Sequence, residues 1–368
     1  MMNRMIVANL VHRPVRSLIS VVAIALEVTL ILLIVGLSLG ILNDTRQRQA
    51  GMGADVVVMP PGSTVIAGVS GAPLSLKIAD ILAGLPHVTA VAPVVMQFST
   101  AGTLEIIYGI DLQSFEQLGG SFRYLSGGPF QGPEDVLVDD FLAKSQNLKV
   151  GKTIELLNHT FRVAGIVEHG RGARKFLPMK TLQDLMSAQG KASAFYLKLD
   201  DPSNASAVVT SIKNFPGMQS YNVRSMSEYL SLMTPASYPY LGTFLKVVIG
   251  ISVTIGLIVI FQAMYTAVME RTREIGILKS MGASKLYIVN VILREATLLA
   301  IAGIVVGIAL SFFAWKGITF KFPLVRIEFS LAWILRTTVI AIIGALTGAL
   351  YPAYKAAQKD PIDALAYE

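Results

Sequence analysis

Among its 368 residues the chain has no cysteine, four histidines and two tryptophans, and charged residues make up only 15% of it. Without cysteine there are no disulfides, thiolate zinc sites or cysteine nucleophiles. The histidines, at 12, 87, 159 and 169, lack metal-ligand spacing, and the adjacent Glu168-His169 reads as a surface pair. The scarcity of charge accompanies a hydrophobic fraction of 53% and a mean hydropathy of +0.59, too apolar for an ordinary soluble protein. What charge there is lies unevenly. Residues 43–240 carry 16 basic and 16 acidic side chains and the rest 15 and 8, so the whole net +7 belongs to the apolar part. Such a surplus suits anionic lipid headgroups and cytoplasmic loops, and gives no reason to expect a nucleic-acid partner.

Four apolar runs match the roughly 20 helical residues needed to cross a bilayer core. They are Leu18–Leu42, interrupted by Glu27, then Phe244–Met269, Ala296–Trp315 and about Leu331–Tyr351. The first is too long for the apolar core of a signal peptide and lacks an A-x-A-like site after it, so we expect a retained anchor. Ten Lys and Arg flank these runs on one side, against Lys316, Lys321 and Arg326 in the short loop opposite. The expected arrangement is a cytoplasmic N-terminal amphipathic segment (1–16), TM1 (17–42), an extracytoplasmic domain (43–240), TM2 (241–269), a cytoplasmic segment (270–295), TM3 (296–315), an outer loop (316–330), TM4 (331–351) and a cytoplasmic tail (352–368).

The outer segment reads as folded. ADVVVMPPG (54–62) suggests a strand, SLKIADILAG (75–84) a helix with Ser75 as N-cap, and HVTAVAPVV (87–95) a second strand. The order recurs in AFYLKL (194–199), NASAVVTSIKNF (204–215) and MQSYNV (218–223), with corners Leu85-Pro86-His87 and Phe215-Pro216-Gly217. Two such units imply a ferredoxin-like βαβ layer, with an inserted β subdomain at about 100–190. The expected fold class is thus an α-helical membrane protein with four transmembrane helices plus an α+β extracytoplasmic domain.

Some motifs fail on context. LSGG (125–128) is followed by Pro129, and GKT (151–153) has Gln146 where a phosphate loop needs glycine, so both read as turn chemistry. The loop HGRGARK (169–175), with Arg171, Arg174 and Lys175, reads as a solvated loop, with contact to an anionic substrate or partner protein as the alternative. Glu27 lies mid-span, where an acid is costly unless it faces the bundle, a partner or water, so a functional role and bundle packing both stand open. Glycines spaced by four, Gly36/Gly40, Gly303/Gly307 and Gly344/Gly348, allow close helix approach within or between protomers.

The stretch ERTREIGILKSMGASKLYIVNVILREA (270–296) puts a charged helix between two spans. Glu270 and Glu274 stand one turn apart beside Arg271 and Arg273, Gly282 ends the helix, Ser284 caps the next, and LYIVNVIL lies at the interface. We read it as a rigid cytoplasmic elbow built to dock another protein.

That stretch resembles the coupling segment of the FtsX/MacB-like permeases, the mechanotransmission branch of ABC transporters. YPAYKAAQKDPIDAL (351–365) is similar to the family's ending, with Lys355 and Ala366 where arginine is common, and GADVVVMPPG with LPHVTAVAP resembles its periplasmic core domain. The resemblance implies the permease subunit of an ABC transporter in the bacterial inner membrane. It would be a multi-pass protein with both termini cytoplasmic, working as a homodimer with two copies of a separate ABC ATPase subunit that binds ATP and Mg. It implies that this chain itself is no enzyme and holds no cofactor, metal or catalytic residue. Coupling to the ATPase would fall to Glu270, Arg271, Arg273, Glu274, Lys279, Gly282 and Ser284. Export with a membrane-fusion adaptor is the leading expectation, and FtsX-like activation of a cell-wall hydrolase the alternative.

Overall fold

The computed structural model describes residues 14–63, 73–99 and 105–360. The reading of His12, most of the N-terminal segment 1–16, the end of the tail motif, 361–365, and Ala366 fall outside them. The chain divides into two units, one of Met1–Gly40, Tyr238–Lys321 and Ile327–Glu368, the other of Ile41–Ser237 and Phe322–Arg326.

The helices and strands follow in chain order as α1 (Pro14–Ala50), β1 (Val56–Met59), β2 (Leu74–Ser75), α2 (Lys77–Ala83), β3 (Val88–Ser99), β4 (Glu105–Ile110), α3 (Leu112–Gly119), β5 (Tyr124–Gly127), β6 (Asp135–Asp139), α4 (Asp140–Ser145), β7 (Thr153–Leu156), β8 (His159–Val167), β9 (Lys175–Pro178), α5 (Met179–Leu185), β10 (Lys191–Ala192), β11 (Ala194–Leu199), α6 (Ala205–Asn214), β12 (Asn222–Ser225), α7 (Met226–Ser231), α8 (Pro239–Glu270), α9 (Thr272–Ser280), α10 (Lys285–Lys321) and α11 (Leu331–Gln358).

In the outer unit one ten-stranded sheet runs β12-β1-β11-β3-β4-β9-β6-β8-β5, with β7 on β8. Its first four strands, all antiparallel, have the order of a ferredoxin-like layer, with α2 and α6 as the two crossover helices. The side-chain period of two explains why β1 is buried throughout. Val56 and Val58 face a core with Ile78 and Leu82 of α2 and Val208 and Ile212 of α6, while Val57 and Met59 face a second core with Phe115 and Phe176. The two corners match in conformation, since His87 (φ 69°) and Gly217 (φ 85°) both take left-handed backbone.

The insertion is no separate sheet. β3 pairs antiparallel with β4 from Val94↔Ile110 to Ser99↔Glu105, so the inserted strands extend the same sheet and carry α3, α4 and α5 with them. Three local expectations change. Ser75 lies in β2 and Leu76 stands at the N-cap of α2 without a side-chain bond. The last strand is Asn222–Ser225 rather than 218–223. LSGG begins inside the edge strand β5, where Gly127 (φ 74°) crosses over Gly165.

In the other unit, the described residues include four helices long and apolar enough to cross a membrane, within Ser17–Ala50, Tyr240–Glu270, Lys285–Lys321 and Leu331–Gln358. Three of the spaced glycines, Gly303, Gly307 and Gly348, pack helices within the chain. A Cβ on Gly303 would sit 2.6 Å from Ile24 Cβ, one on Gly307 2.8 Å from the Ala25 carbonyl oxygen, and one on Gly348 2.8 Å from that of Leu257. Small residues thus bring α10 against α1 and α11 against α8, and Thr29 donates across the first contact to the Gly307 carbonyl at 3.1 Å.

Candidate functional site

The elbow between α8 and α10 is assembled from backbone caps and two internal cationic contacts. α8 ends at Glu270, and Arg271 (φ −108°) interrupts the helix before α9 starts at Thr272, so the second span and the charged helix are two separate helices. α9 closes as a Schellman turn: Ala283 N–H donates to the Leu278 carbonyl and Gly282 N–H to that of Lys279, both at 3.0 Å, with Gly282 at φ +96°. Ser284 then caps α10, its Oγ accepting from Tyr287 N–H at 3.2 Å. LYIVNVIL is the first part of α10 itself, continuous with the apolar run, because no helix-breaking residue separates them.

Two of the expected coupling residues turn inward. Arg271 Nη1 lies 3.1 Å from Glu295 Oε2, both side chains nearly buried, and lines a cavity of about 90 Å³ with Met264, Ile275 and Ile292. Lys279 Nζ donates to the Ala357 carbonyl at 3.0 Å and to that of Lys359, where it meets the negative end of α11. Both side chains thus brace the elbow from within the chain. Glu270, Arg273, Glu274 and Ser284 remain exposed. Beside them stand Met281 (73% exposed), Leu286 (81%) and Ile277, which the charge-based reading passed over. The elbow therefore exposes apolar as well as charged side chains on a braced frame.

Glu27 is buried on α1, its carboxyl lying where a side chain on Gly256 of α8 would be, and its Oε1 has no hydrogen-bond partner among the described residues.

The basic loop 169–175 also reads differently in three dimensions. Arg174 and Lys175 are buried, because β9 pairs with β4 and β6 on both sides. Arg174 bonds Asp44 at 3.0 Å and Asp139 at 3.3 Å. Half-buried Arg171 donates to the Gly119 and Gly120 carbonyls and covers the Phe122 ring at 5.4 Å. A partner-binding role for this loop is thus corrected to an internal one: its cations hold the chain together.

Arg174 holds the end of α1. Asp44 pairs with Arg48 one turn on, Gln49 bridges the Tyr108 and Tyr196 hydroxyls at 2.7 and 3.1 Å, and a Cβ on Gly51 would overlap the Gly170 carbonyl oxygen. Ending the first span at residue 42 hid these groups, although the i,i+4 spacing of Asp44 and Arg48 signals a helix that continues. Burial pushes the Asp139 carboxyl upward against the pull of Arg174. Burial also raises Asp140, but Lys144 and His169 outweigh it and hold that carboxyl below its usual range.

Four bilayer-length helices with a large α/β domain inserted after the first define a membrane protein of the permease class. The chain belongs to the family of the MacB-like periplasmic core domain, matched over residues 17–215, and residues 246–361 match the FtsX-like permease C-terminal family. Macrolide export ATP-binding/permease proteins MacB from Shewanella sp. (strain W3-18-1) and Aggregatibacter actinomycetemcomitans are each 26% identical to it, over 97% and 99% of this chain. The chain spans 59% and 61% of the length of those two relatives. Among solved structures, the periplasmic region of MacB from Actinobacillus actinomycetemcomitans aligns with a TM-score of 0.39 at 18% identity, covering 50% of this chain and 94% of that one. The extracellular domain of the Gram-positive transporter YknZ aligns at 0.36 and 13% identity, covering 46% and 98%.

Proposed function

We propose that this chain is the permease part of an ABC transporter that carries ATP-driven motion from an ABC ATPase, docked on the cytoplasmic elbow, to the outer α/β domain, for export of a substrate handled outside the membrane. The observation that carries the reading is the elbow: the exposed apolar side chains Ile277, Met281 and Leu286 in one stretch with exposed charges, on a frame fixed by the Schellman turn and the Arg271–Glu295 pair. A docking surface must be rigid to transmit displacement, and an apolar centre with a charged rim is how protein interfaces combine affinity with register. The names of the relatives pair ATP binding with permease, which supports a nucleotide-driven partner. The basic side of the spans would be cytoplasmic, with both termini and the elbow there. The working unit would be a permease homodimer with two ATPase copies.

Met281→Glu and Glu274→Lys test the docking. Each should leave the chain in the membrane with its thermal transition unchanged, and each should cut co-purification of the ATPase and ATP turnover by the complex at least about tenfold, as loss of an interface anchor does. Normal co-purification of both variants would remove the elbow from the docking surface.

A further inference from the structure

Two arginines approach Asp44 from different segments, and they are held in different ways. Arg174 is 10% exposed at its side chain and lies 3.0 Å from Asp44 and 3.3 Å from Asp139. Arg326 comes from the short segment Phe322–Arg326, which follows α10 and belongs to the outer unit. Its Nε is 3.9 Å from Asp44, its side chain is 43% exposed, and its guanidinium lies 4.5 Å over the Phe141 ring. The other side of this anchorage is apolar: Leu324 packs against the core of Val95, Val138, Leu142 and Leu177. Phe141 is fixed in turn, since its ring meets that of His169 at 3.8 Å and His169 bonds Asp140 at 2.9 Å.

We propose that Arg326 is a detachable fastening, a positioning residue that clips the segment between α10 and α11 to the base of the outer domain in one state of the cycle and releases it in another. The inference rests on the coupling function proposed above. Asp44 keeps Arg48 and Arg174 when Arg326 leaves, so departure strands no buried charge. The exposed guanidinium is taken up by water, and the exchange of a surface ion pair and a ring contact for hydration is nearly balanced. A contact that close to balance is one that a modest difference in partner affinity can switch. Arg174, buried between two carboxylates, has no such freedom and forms the permanent part of the joint.

The test uses a single cysteine, Leu324→Cys, in this cysteine-free chain, embedded in lipid nanodiscs and treated with a membrane-impermeant maleimide. Adding Arg326→Ala should raise the labelling rate about two- to fivefold, as loss of a surface-strength contact opens a local segment. Arg326→Lys, which keeps the charge and loses the flat ring contact, should fall between. A cysteine at buried Val138 should stay unreactive in all three backgrounds, separating local release from unfolding. Equal labelling with and without Arg326 would overturn the fastening. In the complex with its co-purified ATPase, ATP with vanadate should raise Leu324→Cys labelling by a similar factor over the nucleotide-free state. A complex that hydrolyses ATP and shows no change overturns detachment. Absence of any co-purifying ATPase overturns the coupling reading instead, while the chain-alone labelling still decides the fastening.

Discussion

The membrane unit and the outer domain solve the same problem, holding a helix end or face in register, with opposite chemistry. In the span bundle, registration comes from missing side chains: Gly303, Gly307 and Gly348 admit Ile24, Val28 and Ile260 to near backbone contact. In the outer domain it comes from charges, with Asp44, Arg48, Arg174 and Asp139 bonded around the end of α1. Lipid offers no hydrophobic gain for bringing helices together, so shape must do it. Where water is the alternative environment, a cluster of ion pairs and hydrogen bonds can set position, provided each buried charge is compensated. The elbow stands between the two cases, being built like the bundle but fastened by the Arg271–Glu295 pair.

The sharpest way to break the contrast is therefore at that pair. Arg271→Leu leaves Glu295, 4% exposed, without its cation, and should cost about 3–5 kcal/mol of stability. The double variant Arg271→Leu/Glu295→Leu should recover most of it. Thermal unfolding in nanodiscs reads both, and a double variant that is stable yet still binds the ATPase would show that Arg271 acts within the fold and not at the interface.

In the outer domain, Gly51→Ala drives a methyl into the Gly170 carbonyl and should cost about 3 kcal/mol, whereas Gly128→Ala meets nothing within 4 Å and should stay within about 0.5 kcal/mol. Urea unfolding followed by hydrogen exchange at β4 and β11 distinguishes them.

In the bundle, Gly256→Ala must displace the Glu27 carboxyl and should cost about 1–2 kcal/mol. If Glu27 serves only packing, Glu27→Ala combined with Gly256→Ala should be no worse than either alone in a double-mutant cycle, and Glu27→Gln should leave ATP turnover of the complex unchanged.

The smallest effect is one of pH. Burial raises Asp140, but the hydrogen bonds from Lys144 and His169 hold it lower, as those from Gln131, Arg162 and Gly132 hold Asp135 against its own burial. Carboxyls lowered in the folded state contribute stability that is complete above their unfolded pKa of 3.8 and is lost as pH falls through the lower folded value. The outer domain should lose stability on acidification below about pH 4, and Asp140→Asn should flatten that slope, as measured by denaturant midpoints across the range.

The four spans, the inserted domain and its ferredoxin-like half were legible in the chain, because each depends on composition or on a short-range period. A run of twenty apolar residues can satisfy its backbone in lipid only as a helix. Strand-helix-strand patterns around Pro86 and Pro216 repeat the same local instructions. The elbow's caps were legible for the same reason, since Gly282 and Ser284 act on bonds within a few residues of themselves.

Partner choice was not, because a charged side chain carries no mark of the residue it will meet. Arg271 and Lys279 read as docking charges and turned to Glu295 and the end of α11; Arg174 and Lys175 read as a solvated loop and are buried, Arg174 against Asp44 at the end of α1. Periodicity and caps are set by neighbours within one or two turns, and so belong to the sequence alone. Which of several similar charges is buried, and whether a glycine pair serves contacts inside the chain, depends on segments hundreds of residues apart arriving at one place, as Asp44, Arg174 and Arg326 do. Only the packed chain decides that, because burial turns an ordinary ion pair from a weak surface contact into a constraint that the fold must satisfy.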